Sequence, residues 1–182
     1  MDHPARKPSS PRKRRVSAAR TRLRPAGGST AKESRAQVSD YVARLQRATA
    51  LDLVQMEREG VPGALIKNIG LRINLPMQRL YDMLGAPKAT MERKAASNKP
   101  VTGAVGQSTL GLVRLLARAE SMVAESTSPD ARGFDTARWL GEWLETPQPA
   151  LGGRRPSEML DTPTGVAIVE KALGALASGS YL

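Results

Sequence analysis

From residue 36 onward the larger apolar residues recur at intervals of three and four, and no stretch alternates them at every second position. That spacing places them on one face of a helix, whereas a half-buried strand needs a period of two. Thr109, Leu112, Leu116, Ala119 and Val123 form the most regular stripe. Val166, Val169, Leu173 and Leu176 repeat it near the end, and Val38, Val42, Leu45, Leu53 and Met56 near its beginning. The expected fold is all-α.

Punctuation by glycine, proline and capping residues divides the pattern into helices. The segment holding Val38 to Met56 ends at Gly60, with Pro62 just beyond. A second, with Leu65, Ile66 and Ile69, is expected to stop at Gly70. Pro76 suits the first turn of a third helix carrying Met77, Leu80 and Leu84. Gly85 turns the chain, and Pro87 opens a fourth with Thr90, Met91, Arg93 and Lys94. The polar stretch Ser97–Gln107 reads as a flexible link to the helix of the Thr109 stripe. After a loop at Ser126–Gly133, Asp135 is a good N-cap, with Phe134 and Trp139 at the two positions of a hydrophobic staple. Trp139 and Trp143 share a face and read as core anchors. A short helix is expected at Met159 and Leu160, and a last one capped by Thr162 with Pro163 at its first position. Gly179 stops that helix and leaves Ser180-Tyr181-Leu182 extended.

With 182 residues the chain suffices for one domain or two small ones. Its charge, 28 Lys+Arg against 17 Asp+Glu, is unevenly placed. Residues 1–35 carry a net +9, residues 36–99 a net +4 and residues 100–182 a net −2. The first segment has four prolines and only Val16 and Leu23 as larger aliphatics, so it is expected to be a disordered basic tail. Its run Arg12-Lys13-Arg14-Arg15 suits contact with a polyanion. Cysteine is absent and the single histidine is His3, which excludes thiolate chemistry, Ser-His-Asp catalysis and multi-histidine metal sites. No apolar run approaches the 18 residues of a membrane span. The expectation is a cytoplasmic, non-enzymatic binding protein without cofactor or metal.

The helix–glycine–helix at about 76–97 has the form of a helix-turn-helix, in which the second helix enters the major groove. Lys88, Thr90, Arg93 and Lys94 are then the DNA-facing candidates, together with Arg12 to Arg15, while Met91 packs inward. Gly103 to Thr109 is not a phosphate loop, because the lysine before the hydroxyl residue and the preceding strand are missing. Glu142 and Glu145, three apart on a helix, read as a solvated face.

The last fifty residues are the most specific. Gln148-Pro149-Ala150-Leu151-Gly152-Gly153-Arg154-Arg155-Pro156, Leu160-Asp161-Thr162-Pro163-Thr164-Gly165, Leu173-Gly174 and Gly179-Ser180-Tyr181-Leu182 together resemble the toxin-binding domain of the Xre/MbcA/ParS antitoxins. Upstream, Leu84-Gly85 followed by Thr90 to Lys94 is similar to the family's helix-turn-helix. The chain departs from the family pattern at Ala86-Pro87 and in the Gly-, Ser- and Asn-rich stretch Ser97–Gln107. The resemblance covers about residues 75–182; with the basic tail, which rests on charge alone, the expected division is a tail at 1–35, a helical domain at 36–127 and a toxin-binding domain at 128–182. It implies an antitoxin of a type II toxin–antitoxin system whose partner is a RES-domain toxin that consumes NAD⁺ or transfers ADP-ribose. In that family the antitoxin's C-terminal end covers the toxin's cleft. The implied toxin-binding residues are Arg154, Gly179, Ser180, Tyr181 and Leu182, with a tyrosine ring and terminal carboxylate competing with the dinucleotide. Arg154 is expected to secure the loop Leu151–Pro156 against helix ends. Operator DNA and a second copy, within a larger toxin–antitoxin complex, are the other implied partners, the copy meeting the exposed apolar positions of 36–59. A helical DNA-binding regulator without a toxin partner is the rival, and a nucleic-acid chaperone acting through the tail a weaker third.

Overall fold

Thr49 divides the first apolar segment in two. In the computed structural model, which describes residues 27–177, helix α1 (Gly27–Gln46) ends before it and helix α2 (Ala50–Glu59) begins after it. The Thr49 side chain accepts from the Asp52 backbone N–H, and the Asp52 carboxylate accepts from that of Thr49 at 2.8 Å, a closed capping box. α1 also starts earlier than the expected boundary at residue 36. Good helix formers such as Ala31, Lys32, Glu33 and Ala36 carry it back to Gly27, so residues 27–35 are helical and not part of a disordered tail. Residues 1–26, with the Arg12–Arg15 run, lie outside the described residues, as does the expected helix stop at Gly179.

Three short helices follow: α3 (Gly63–Arg72), α4 (Met77–Met83) and α5 (Lys88–Ala96). α3 continues two residues past Gly70 because Ile69 and Ile73, both sealed in the core, need the extra turn. The turn between α4 and α5 passes through Gly85 at φ 62, a left-handed conformation that glycine adopts without a Cβ clash. The stretch expected to be a flexible link is held in place. Strands β1 (Val61–Pro62) and β2 (Pro100–Val101) pair antiparallel. Asn98 accepts the Ala64 backbone N–H at 3.2 Å, and the Lys94 ammonium donates to the Pro100 carbonyl at 3.0 Å. These ties span more than thirty residues in the first case, so no local pattern announces them.

Helix α6 (Gly103–Ala124) is the spine. Leu110, Leu112, Val113, Leu115, Leu116 and Ala119 are each at most 2% exposed, which buries the helix on more than the one face its stripe predicts. It packs against α1 and α2, against α7 (Thr136–Leu144), and against α8 (Pro163–Ala177). Between α7 and α8 the chain makes 3-10 turns at Pro149–Leu151 and Pro156–Glu158; the second ends just before Met159 and Leu160, which lie in a bend and turn and not in the expected short helix. Thr162 caps α8 as anticipated, its hydroxyl accepting the Gly165 N–H at 3.1 Å. One continuous apolar core runs from Val38 to Leu173. No helix among the described residues is long and apolar enough to cross a membrane.

α6 and α8 run parallel. Gly111 meets Val166, Arg114 pairs with Glu170 at 2.9 Å, and the Arg118 guanidinium lies beside Gly174. The contacts keep an offset of 55 or 56 residues throughout. At the first of them a Cβ on Gly111 would stand 2.6 Å from a Val166 methyl, so the absence of a side chain sets the closeness of the two helices.

Candidate functional site

The C-terminal unit is organised by α7. Asp135 caps it, accepting the Arg138 backbone N–H at 3.3 Å. The same carboxylate accepts from the Arg72 guanidinium of α3 at 2.8 Å. That hydrogen bond, followed by the backbone one, holds the Asp135 carboxyl below the usual aspartate value in spite of some burial. Glu120 of α6 lies 3.9 Å from Arg72, and there burial outweighs the guanidinium and pushes the carboxyl up. Phe134 and Trp139 form the expected staple, ring centroids 6.2 Å apart, and Trp139 stacks on Trp143 at 6.3 Å. Trp143 is buried as a core anchor. Trp139 is only half-buried and, with the exposed Phe134, Met122, Val123 and Leu176, lines an apolar groove of about 650 Å³.

The Pro-rich loop closes on itself through backbone. Gln148 N–H donates to the Arg154 carbonyl and Gly153 N–H to the Gln148 carbonyl, both at 3.0 Å. Gly152 and Gly153 take φ 65 and 79, the left-handed pair that lets the loop double back over buried Leu151. The Arg154 side chain is exposed and makes no hydrogen bond or ion pair among the described residues. The guanidinium that secures this region belongs instead to Arg79 of α4. It grips both Glu145 oxygens at 2.8 and 3.0 Å and donates to the buried Ser157 hydroxyl at 2.9 Å. Arg155 adds a longer contact to Glu145 at 3.8 Å. Glu145 is therefore part of a clamp between the two halves of the chain and not a solvated face. Glu142 is solvated and, among the described residues, its carboxylate pairs only with Arg138 one turn away. Arg79 carries no mark in the sequence, since its partners are 66 and 78 positions distant.

The helix-turn-helix candidates divide as well. Lys88 and Arg93 are exposed on α5, and Thr90 is half-buried. Met91 is 4% exposed and packs inward as expected. Lys94 is half-buried and spends its ammonium on the Pro100 carbonyl, so it braces α5 against β2. Gly179, Ser180, Tyr181 and Leu182 lie outside the described residues.

A helix-turn-helix locked by ion pairs to a second helical unit with an aromatic groove defines a binding protein with two separate faces. Residues 133–179 match the Antitoxin Xre/MbcA/ParS C-terminal toxin-binding domain, and residues 52–114 match the Antitoxin Xre-like helix-turn-helix domain. The Prs ADP-ribosylating antitoxin of Sphingobium sp. (strain YBL2) is 36% identical over 137 residues, which cover 75% of this chain and 85% of that relative. The chain belongs to the Xre/MbcA/ParS antitoxin family, whose part in such a pair is to bind the toxin and not to catalyse.

Proposed function

We propose that this antitoxin neutralises a RES-domain toxin that consumes NAD⁺ or transfers ADP-ribose from it, by lodging Gly179 to Leu182 in the toxin's cleft. The relative's name supports ADP-ribose chemistry in the system. The observation that carries the reading is the course of α8. Anchored by buried Val166, Val169 and Leu173, it runs parallel to α6 and delivers its last described turn to the edge of the matched toxin-binding domain. A dinucleotide site accepts a flat ring between phosphates, which suits Tyr181, and Gly179 permits the chain to leave helical geometry and enter a narrow cleft.

The α4–α5 unit is the operator-binding element, with Lys88 and Arg93 toward DNA, Thr90 beside them and the Arg12–Arg15 run adding phosphate contacts. Lys94 contributes by holding α5 in position. Arg154, exposed at the loop tip, belongs to the toxin-facing surface. A second copy meets α2, where Leu51 is 82% and Val54 42% exposed, and the assembly works in the cytoplasm.

Deleting Ser180-Tyr181-Leu182 tests the central claim. No residue of the core is lost, so the truncated antitoxin should remain folded and still co-purify with the toxin, while the complex consumes NAD⁺. A truncated chain that silences the toxin fully refutes occlusion by the C-terminal end.

A further inference from the structure

The groove bounded by α6, α7 and α8 lies apart from the helix-turn-helix. Its lining begins at Arg118, beyond the stretch 52–114 that matches that domain, and Phe134, Trp139 and Leu176 fall within the toxin-binding match at 133–179. Of the six aromatic residues in the chain, three are gathered here. Trp143 is buried and stacks on half-buried Trp139; Phe134 packs on Trp139 and is still 45% exposed. Met122, Val123 and Leu176 continue the apolar wall. Rings fixed by a neighbour yet left exposed are the anchors that carry most of the energy at protein interfaces. Charge gives the groove two ends. Arg118 stands at one, beside Glu170 of α8. Glu125 and Asp130 stand at the other, roughly 10 Å further along α6, where the helix ends and its dipole adds negative charge. Neither of those carboxylates has an ion-pair partner among the described residues.

We propose that this groove is where the toxin docks. It receives an apolar segment of the toxin's surface, whose aliphatic side chains enter against Phe134, Trp139 and Leu176 and whose flanking lysine or arginine faces Glu125 and Asp130. The apolar walls and the position within the matched toxin-binding domain select the partner, and the two free carboxylates set the charge it must bring. The same carboxylates repel phosphate, so nucleic acid is a poor occupant. An exposed apolar concavity of about 650 Å³ with an acidic end is the complement of a segment with aliphatic anchors and a basic flank. The inference rests on the reading that a toxin is the partner, and it separates two tasks within that reading. The groove supplies affinity, and occlusion of the toxin's cleft is left to the segment that follows α8.

Fluorotryptophan built into the full antitoxin gives one fluorine resonance each for Trp139 and Trp143, and the purified, unlabelled toxin of the pair adds none. Toxin should shift the Trp139 resonance and shield it from solvent, with buried Trp143 moving less. Phe134→Ser should weaken the complex by about tenfold or more, chiefly through faster dissociation. Reversing charge at Glu125 and Asp130 should slow association and reduce its salt dependence. Leu71→Ser, at a 60% exposed residue of α3 outside the groove, should leave affinity unchanged. A Trp139 resonance that toxin does not move overturns the proposal, and so does a folded Phe134→Ser protein of unchanged affinity. If Phe134→Ser fails to fold, the resonance in the unaltered chain decides. A Trp139 shift that follows antitoxin concentration without toxin overturns it too, since the groove would then hold a second copy. Failure of the occlusion reading looks different: the chain lacking Ser180-Tyr181-Leu182 would still silence the toxin, whatever Phe134→Ser does to affinity.

Discussion

Breaking the Arg79–Glu145 clamp should cost more than a surface ion pair and less than a buried one. The side chains are 35% and 24% exposed, and the grip is bidentate, at 2.8 and 3.0 Å. Isolated surface pairs contribute roughly 0.2–1 kcal/mol, and bidentate charge-assisted bonds about twice a neutral one, so the pair should couple by about 1–2 kcal/mol. Arg79→Met also strips the donor from the Ser157 hydroxyl, which is 2% exposed, adding about 1 kcal/mol. The expected single-variant losses are therefore about 2–3 kcal/mol for Arg79→Met and about 1–2 kcal/mol for Glu145→Gln. The double variant should lose less than their sum by the coupling term. Urea unfolding at pH 7 measures all four corners of the cycle, provided the slope with denaturant stays constant. A coupling energy below about 0.3 kcal/mol would mean additivity and refute the clamp.

Gly111→Ala places a methyl against stiff Val166 and should destabilise by about 1–3 kcal/mol in thermal unfolding, with partial recovery in the Gly111→Ala, Val166→Ala double variant. Reversing charge at Lys88 and Arg93 should abolish operator binding in gel shift while toxin co-purification persists. Lys94→Glu should instead lower the melting temperature, since that ammonium braces β2. Asp135 and Glu120 should give opposite pH responses. The native Asp135 value is lowered, so its contribution is present above the ordinary 3.8 and lost as pH falls through the native value; Asp135→Asn should matter at pH 7 and not in strong acid. The native Glu120 value is raised, so its ionised form disfavours folding, and Glu120→Gln should be neutral or stabilising at pH 7 with the effect vanishing as pH falls below 4.5.

What the sequence makes legible here is what is decided within a few residues. The Asp135 cap and Phe134–Trp139 staple, the Gly85 turn and the Thr162–Pro163 start of α8 all lie where their spacing puts them. The Thr49 box was equally local, but an aspartate stands where the usual pattern has Glu or Gln, and the apolar run through it looked continuous. Other features depend on partners far along the chain. Val101 pairs with Val61, forty positions away, so the glycine-rich stretch before α6 looked loose. The surplus burial of α6 follows from helices packing around it, which a single stripe cannot encode. In the site, the resemblance located the loop through Gly152-Gly153-Arg154, yet the arginine that fixes it arrives from α4.

α6 belongs to both functional halves at once: its first turns complete the match to the helix-turn-helix domain, and its later ones carry α7 and α8. Partner choice in this lineage is therefore not free to evolve by exchanging whole domains at a linker, because a cut through α6 divides a continuous core. A working chimera must graft at the loop after Glu125, keep the resident α6 with its Gly111, and bring a foreign α7 and α8 whose residue in the place of Val166 fits against that glycine. The exposed residues of α5, Lys88 and Arg93 among them, can meanwhile change one at a time without disturbing that fit. New toxin specificities should thus arise by co-adaptation of one helix face, and recombinants between distant relatives should fail at folding before they fail at recognition.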